Sequence, residues 1–209
     1  MPITSIESLP SGAYWGLWEI SESENELLHA WKFPLTTAFE KFKIRSRRKE
    51  WLAGRLLLQG LANEVGAPFT GIEKDEHQKP FLKDAHHQIS LSHTKGYATA
   101  IIHPSAPIGI DIERNNPKIN RIVRKFLNDE EVAASQNQEK ELLTYWCAKE
   151  AMYKLNGRKG MIFKEQILVN KTLGESQFTG QVINEDLSHD VALNLVTFGI
   201  YTICIAEKK

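Results

Sequence analysis

The sequence predicts an α+β protein built as two lobes, and three observations carry that expectation. Two long stretches, 44–65 and 138–155, show the apolar spacing of amphipathic helices, and each is followed by shorter strand-like segments. The length of 209 residues exceeds an average domain without reaching two. No internal repeat and no linker rich in Gly, Ser or Pro interrupts the chain, so two lobes sharing an interface are expected, 1–104 and 105–209, with the join near 104–107.

Taken in order, AYWGLWEI (13–20) reads as a first strand with Trp15 and Trp18 as core anchors, and a polar helix follows over about 22–30. The helix from Ile44 to Val65 is stopped by Gly66 and Pro68, and its Ile44, Trp51, Leu52, Leu56 and Leu61 form one buried stripe. Residues 69–88 are turn-rich, with a short strand at Phe81-Leu82. QISLSH (88–93) alternates, YATAIIH (97–103) is an apolar run, and HPSAP (103–107) turns into IGIDIE (108–113), which is expected to be its hairpin partner. Helices are expected over 119–126, from about Asn128, and over 138–155, the last closed by Asn156-Gly157; 163–170, 177–184 and 191–206 read as strands.

Composition excludes several classes. At 42% hydrophobic and 25% charged the chain is an ordinary globular protein, not disordered, collagenous or coiled coil. Its 26 basic and 26 acidic residues balance, so there is no global field for nucleic acid. No apolar run suits a membrane span, and MPITSIESLPSG lacks the features of a signal peptide, so a cytoplasmic protein is expected. Cys147 and Cys204 are too few for a disulfide framework or a four-ligand zinc site, and are expected to be buried, inert thiols. One local imbalance stands out: Lys41, Lys43, Arg45, Arg47, Arg48, Lys49 and Arg55 face the single acid Glu50. That run is either a solvated helix face or a surface for a phosphate-rich partner.

The acids are more informative. In IGIDIE the isoleucines face one way, while Gly109, Asp111 and Glu113 face the other, the carboxylates about 7 Å apart at their backbones. Such a pair needs a cation or open solvent, and Gly109 is expected to leave room for a ligand. In the helix 138–155, Glu150 falls where the apolar period of Leu142, Leu143, Trp146 and Tyr153 continues. A carboxylate there is costly unless paired or metal-bound; an i,i+4 pair with Lys154 is the plainer account. Three oxygen donors without a His or Cys cluster suit a hard ion such as magnesium, with Arg48, Arg55, Lys79 and His93 available for phosphate groups.

IGIDIE (108–113) and WCAKEAMYKLNGRKG (146–160), with Asp111 and Glu150 39 positions apart, resemble the signature blocks G-(I/V)-D-(I/V)-E and W-x-x-K-E-x-x-x-K of the 4′-phosphopantetheinyl transferases. RRKEWLAGR (47–55), QKP (78–80) and SLSHT (90–94) extend the match over about 45–160. The resemblance is to the longer, surfactin-synthetase-activating (Sfp-like) class, which serves non-ribosomal peptide, polyketide, lysine-biosynthesis and fatty-acid carriers.

The resemblance implies two similar lobes related by a pseudo-twofold, coenzyme A in the cleft between them, and transfer of its phosphopantetheine arm to a serine of an apo acyl or peptidyl carrier protein, releasing 3′,5′-ADP. Asp111, Glu113 and Glu150 match the magnesium ligands. Glu150, or a water activated at the metal, matches the proton acceptor, and Lys154 the residue that stabilises the departing phosphate. Arg48, Lys79, Ser92, His93, Lys149 and Lys154 match coenzyme-binding positions; Glu131 matches an acidic position with a supporting or base role, and Trp146 is most simply a core residue. The class suggests a monomer with no nucleic-acid or membrane partner. The loop LNGRKG departs from relatives with a G-K-G step. Two other readings are a coenzyme A or carrier-protein binding module of the same fold, and a different magnesium-dependent phosphoryl-transfer enzyme.

Overall fold

The computed structural model describes residues 3–184 and 188–209. Contacts divide the chain into Met1–Asp75 with Pro80–Ser105, and Glu76–Lys79 with Ala106–Lys209. The segment 76–79 belongs with the second unit, a placement that no sequence feature announces.

In the first unit β1 (Ile3–Ser8) and β2 (Tyr14–Glu19) form a hairpin. Helix α1 (Glu24–Ala30) opens on a capping box in which Ser23 and Glu26 satisfy each other's backbone amides. The single turn α2 (Thr37–Glu40) is capped by Thr36, and α3 (Arg45–Glu64) is the long helix. After it come β3 (Ile72–Lys74) and β4 (Pro80–Leu82), paired with each other, then β5 (Gln88–Thr94) and β6 (Tyr97–His103). The main sheet has the order β1-β2-β6-β5. Against it α3 buries Trp51, Leu52, Leu57, Leu58 and Leu61, which join Trp18, Ile89 and Ala98 in one core; each such leucine contributes about 1.5–3 kcal/mol on burial. The start of α3 is unusual: Ile44 offers no side-chain cap, and the first turn carries Arg45, Arg47 and Arg48 but no acid. That is opposite to what the helix dipole favours.

The second unit starts with β7 (Ile108–Arg114), a 3₁₀ turn (Pro117–Arg121) and α4 (Val123–Phe126). Helix α5 (Asp129–Ser135) opens on a capping box of Asn128 with Glu131. Helix α6 (Glu139–Asn156) ends at Gly157, whose φ of 69° needs glycine's freedom. Then follow α7 (Phe163–Gln166), β8 (Ile167–Asn170), β9 (Gln177–Ile183), β10 (Ser188–Phe198) and β11 (Tyr201–Lys208). The sheet order is β7-β11-β10-β9-β8, all antiparallel, with α6 packed on one face. No helix among the described residues is long and apolar enough to cross a membrane.

Three expectations are corrected. IGIDIE is not the hairpin partner of YATAIIH: β6 has both edges occupied by β2 and β5, and β7 pairs instead with β11, Ile110 opposite Ile205 and Asp111 opposite Cys204. The first half of 163–170 is one helical turn, closed by a bond from Gln166 N–H to the Ile162 carbonyl, before the strand begins. The run 191–206 is two strands, broken at Gly199.

The two units share a topology. Each has a strand, short helices, one long helix and antiparallel strands, the last of which returns to pair with the strand before the helices: β6 with β2, β11 with β7.

Candidate active site

The local pattern of β7 decides what faces α6. Alternation turns Ile108, Ile110 and Ile112 to one side and Gly109, Asp111 and Glu113 to the side that α6 covers. Gly109 does not leave space for a ligand, as the sequence suggested. A Cβ there would lie 1.9 Å from the Ala151 carbonyl oxygen and 2.7 Å from the Leu155 nitrogen. The glycine's role is to let the helix backbone lie directly on the strand, which places Glu150 and Lys154 beside Asp111 and Glu113.

Four charged groups meet there. The Lys154 ammonium sits 2.6 Å from Asp111 Oδ1 and donates a second bond, 3.2 Å, to the Ile110 carbonyl. This replaces the i,i+4 pair with Glu150 as the residue's main contact. Trp146, expected to be plain core, donates its indole N–H to Glu113 Oε1 at 2.8 Å and so aims that carboxylate. The W of W-x-x-K-E was visible in the sequence, but that it would reach the strand acid was not.

The electrostatics report excess negative charge. Burial, reinforced by Asp111, pushes Glu113 up to about 7 against the Trp146 hydrogen bond and Lys154. Burial and Asp111 likewise push Glu150 up to about 7, with Lys154 opposing. One ammonium among three carboxylates leaves a deficit that a divalent cation would fill. Among the described residues no group of three His, Cys, Asp or Glu side chains is closed tightly enough to hold a metal ion by itself. The donors nevertheless fit magnesium in kind, all hard carboxylate oxygens, and magnesium takes part of its shell from water and substrate phosphate.

Beside Glu150 opens a cavity of about 520 Å³ walled by Phe126, Trp146, Tyr153, Met161 and Phe163. Its aromatic rings brace one another, Phe126 edge-on to Trp146 at 5.0 Å and Tyr153 to Phe163 at 5.4 Å.

Lys149 requires a correction. It is fully buried at 0% exposure, with its ammonium 2.7 Å from Glu131 and donating to the carbonyls of Ile167 (2.6 Å) and Phe163 (3.1 Å). It therefore has no reach to a coenzyme phosphate. Glu131 is spent in the same way: its other oxygen accepts from Val169 N–H at 2.9 Å, and it serves the Asn128 capping box, so it is no candidate base. Cys147 and Cys204 are buried, Cys147 donating to the carbonyls of Asp111 and Thr202, and burial pushes both thiols up.

The remaining expected residues lie elsewhere. Lys79, in the second unit, donates to the Leu155 carbonyl at the end of α6, 2.9 Å. In the first unit, Arg48 is held by Glu24 at 2.5 Å and lies over the Phe39 ring. His93 Nδ1 is 3.1 Å from the buried Glu50, which also meets Arg47, and Ser92 precedes it on β5. Arg55 stacks 3.5 Å over Trp51, and burial lowers it to about 9.

Comparison with known proteins gives three matches. Residues 107–193 match the model of the 4′-phosphopantetheinyl transferase superfamily. Residues 38–103 match that of the 4′-phosphopantetheinyl transferase N-terminal domain. Over 135 residues the chain is 27% identical to the 4′-phosphopantetheinyl transferase psf-1 of Bacillus pumilus, covering 60% of this chain and 58% of that relative's length.

Proposed function

Because the chain belongs to the 4′-phosphopantetheinyl transferase superfamily, we propose that it transfers the phosphopantetheine arm of coenzyme A to a serine of an apo acyl or peptidyl carrier protein, with magnesium. The observation that carries this reading is the convergence of Asp111, Glu113 and Glu150 around one ammonium, with two of the carboxylates held up to about 7.

Asp111, Glu113 and Glu150 would hold a magnesium ion, which would neutralise charge on the coenzyme's pyrophosphate. The serine Oγ forms a bond to the phosphorus bearing the pantetheine arm, and the bond from that phosphorus to the bridging oxygen breaks. The bridging oxygen leaves with 3′,5′-ADP, carrying the electron pair. The serine proton passes to a Glu150 carboxylate oxygen. Lys154 offers its ammonium to the charge that develops on the departing phosphate. The apolar cavity next to Glu150 takes the arm, excluding water from the transfer. Arg48, Ser92 and His93 of the first unit, and Lys79 of the second, contribute to the coenzyme's phosphates; an uncapped, basic start of α3 is the surface an anion prefers.

Intact-mass spectrometry of an apo acyl carrier protein incubated with the protein, coenzyme A and magnesium tests this. A gain of one phosphopantetheine arm, abolished by EDTA and by Glu150→Ala, is expected. No gain on acyl, peptidyl or aryl carriers while coenzyme A still binds would replace the transferase with a binding module.

A further inference from the structure

We propose that the second unit carries a separate site for a phosphate-type oxyanion, formed by Arg158, His189 and Lys208 just past the end of α6. A cavity of about 220 Å³ opens there, bordered also by Leu155 and Asn156. That size suits a tetrahedral oxyanion and its first ester carbon; drug-sized ligands start near 300 Å³.

Strand alternation explains why the cavity is positive. His189 shares its face of β10 with the buried Val191, and Lys208 shares its face of β11 with Cys204 and Ala206. The neighbouring acids Asp190 and Glu207 point to the opposite face, and Asp190 accepts there from Gln181. Among the described residues the lining therefore contains no carboxylate.

The cations are also uncommitted. Lys149, Lys154 and Lys171 of the same unit each have a carboxylate within 2.7 Å, whereas among the described residues neither Arg158 nor Lys208 makes an ion pair. His189 Nε2 is shielded from solvent and has no hydrogen-bond partner among the described residues, a donor or acceptor that a bound group would satisfy. The carbonyls at the end of α6 ordinarily repel an anion; here Leu155 O is taken by Lys79 and Tyr153 O by the Gly157 amide. Burial and the nearby Lys208 lower the His189 pKa, opposed by Asp190, so near neutrality the ring is uncharged and can present Nε2–H to an oxyanion while Arg158 supplies its planar fork.

The test is titration of the full chain, followed in the carbon–proton spectrum of its 7 histidine imidazoles, the His189 signal being identified by its loss in His189→Gln. Inorganic phosphate and methyl phosphate form two arms, separating free phosphate from the end of a larger ester, and sodium chloride at equal ionic strength is the control. A saturable movement of the His189 signal is expected with one or both phosphates, and at least a tenfold weaker apparent affinity in Arg158→Gln/Lys208→Gln. Both substituted residues are exposed, and the other imidazole signals report that the variant is folded. Equal movement with chloride, no movement of His189, or unchanged affinity in the double variant would each overturn the proposal.

Discussion

Where the strand before the helices of each unit, β2 or β7, faces the long helix, the two sequences run in parallel: Gly16-Leu17-Trp18-Glu19 and the following Ile20 in one, Gly109-Ile110-Asp111-Ile112-Glu113 in the other. Each glycine lies opposite an alanine of the returning strand, Ala100 and Ala206. Each also stands where a Cβ would strike the long helix, Leu57 in α3 and Ala151 in α6. Two residues on, the units diverge. Trp18 is wholly buried in the first core, while Asp111 meets Lys154; Ile20 packs on that core, while Glu113 takes the Trp146 indole. One frame serves twice, and the second unit's charged cluster enters through two side chains on a strand and two on a helix.

The largest expected effect tests that division of labour. Glu150→Gln keeps shape and removes the ionisable group, and should lower carrier-protein turnover by about 10²–10⁴-fold with an unfolding midpoint at neutral pH no lower than that of wild type. Turnover within threefold of wild type would mean that the second unit's acids are not where the chemistry resides.

Next comes Lys149→Met, which strands the buried Glu131 and should cost about 3–5 kcal/mol in urea unfolding. Among the described residues the first unit has no counterpart: its buried acid, Glu50, lies 3.1 Å from Nδ1 of the partly exposed His93 and 3.4 Å from the exposed Arg47, so Arg47→Met should cost under about 1 kcal/mol. Equal losses would erase the contrast between a locked and a solvent-facing acid.

The carboxylates also predict a pH signature. Glu113 and Glu150 are held up to about 7 from an ordinary 4.5, so between those values the folded state binds more protons than the unfolded one. Stability of the metal-free protein should be highest toward pH 4.5 and fall as pH rises to 7, by about 2–4 kcal/mol more than in Glu113→Gln/Glu150→Gln. Added magnesium should recover stability at pH 8 and do little at pH 5. Parallel pH curves for the two proteins would mean that the charge excess does not govern stability.

The smallest effect compares the glycines. Gly109→Ala drives a Cβ onto helix backbone, 1.9 Å from Ala151 O, and should cost about 1–3 kcal/mol or more. Gly16→Ala meets the end of the Leu57 side chain at 2.9 Å and the Ser5 carbonyl at 3.1 Å, and should cost less. The reverse order in chemical denaturation would refute the shared close approach.

How far the sequence reading reached follows the range of the forces involved. Helices α3 and α6 were legible because their apolar period and the stops at Gly66 and Gly157 are local signals. The acids of IGIDIE and Glu150 stood out as charges on otherwise apolar stripes. Strand β1 was missed because ITSIES is short and half polar, and gains its place only by pairing with β2. The partner of β7 was misread because pairing depends on which edges of β6 remain open. Lys149 was misplaced for a similar reason: a lysine is ordinarily exposed, and its partners Glu131, Phe163 O and Ile167 O come from three other segments.

That buried lysine has a consequence for solubility. Strand β8 is the last of its sheet, and a terminal strand invites pairing with another chain. Here the Ile167 carbonyl and the Val169 amide are already occupied, one by the ammonium and one by the carboxylate of a single ion pair. The pair stands where a sixth strand would pair, occupying with two side chains two backbone groups that an incoming strand would need.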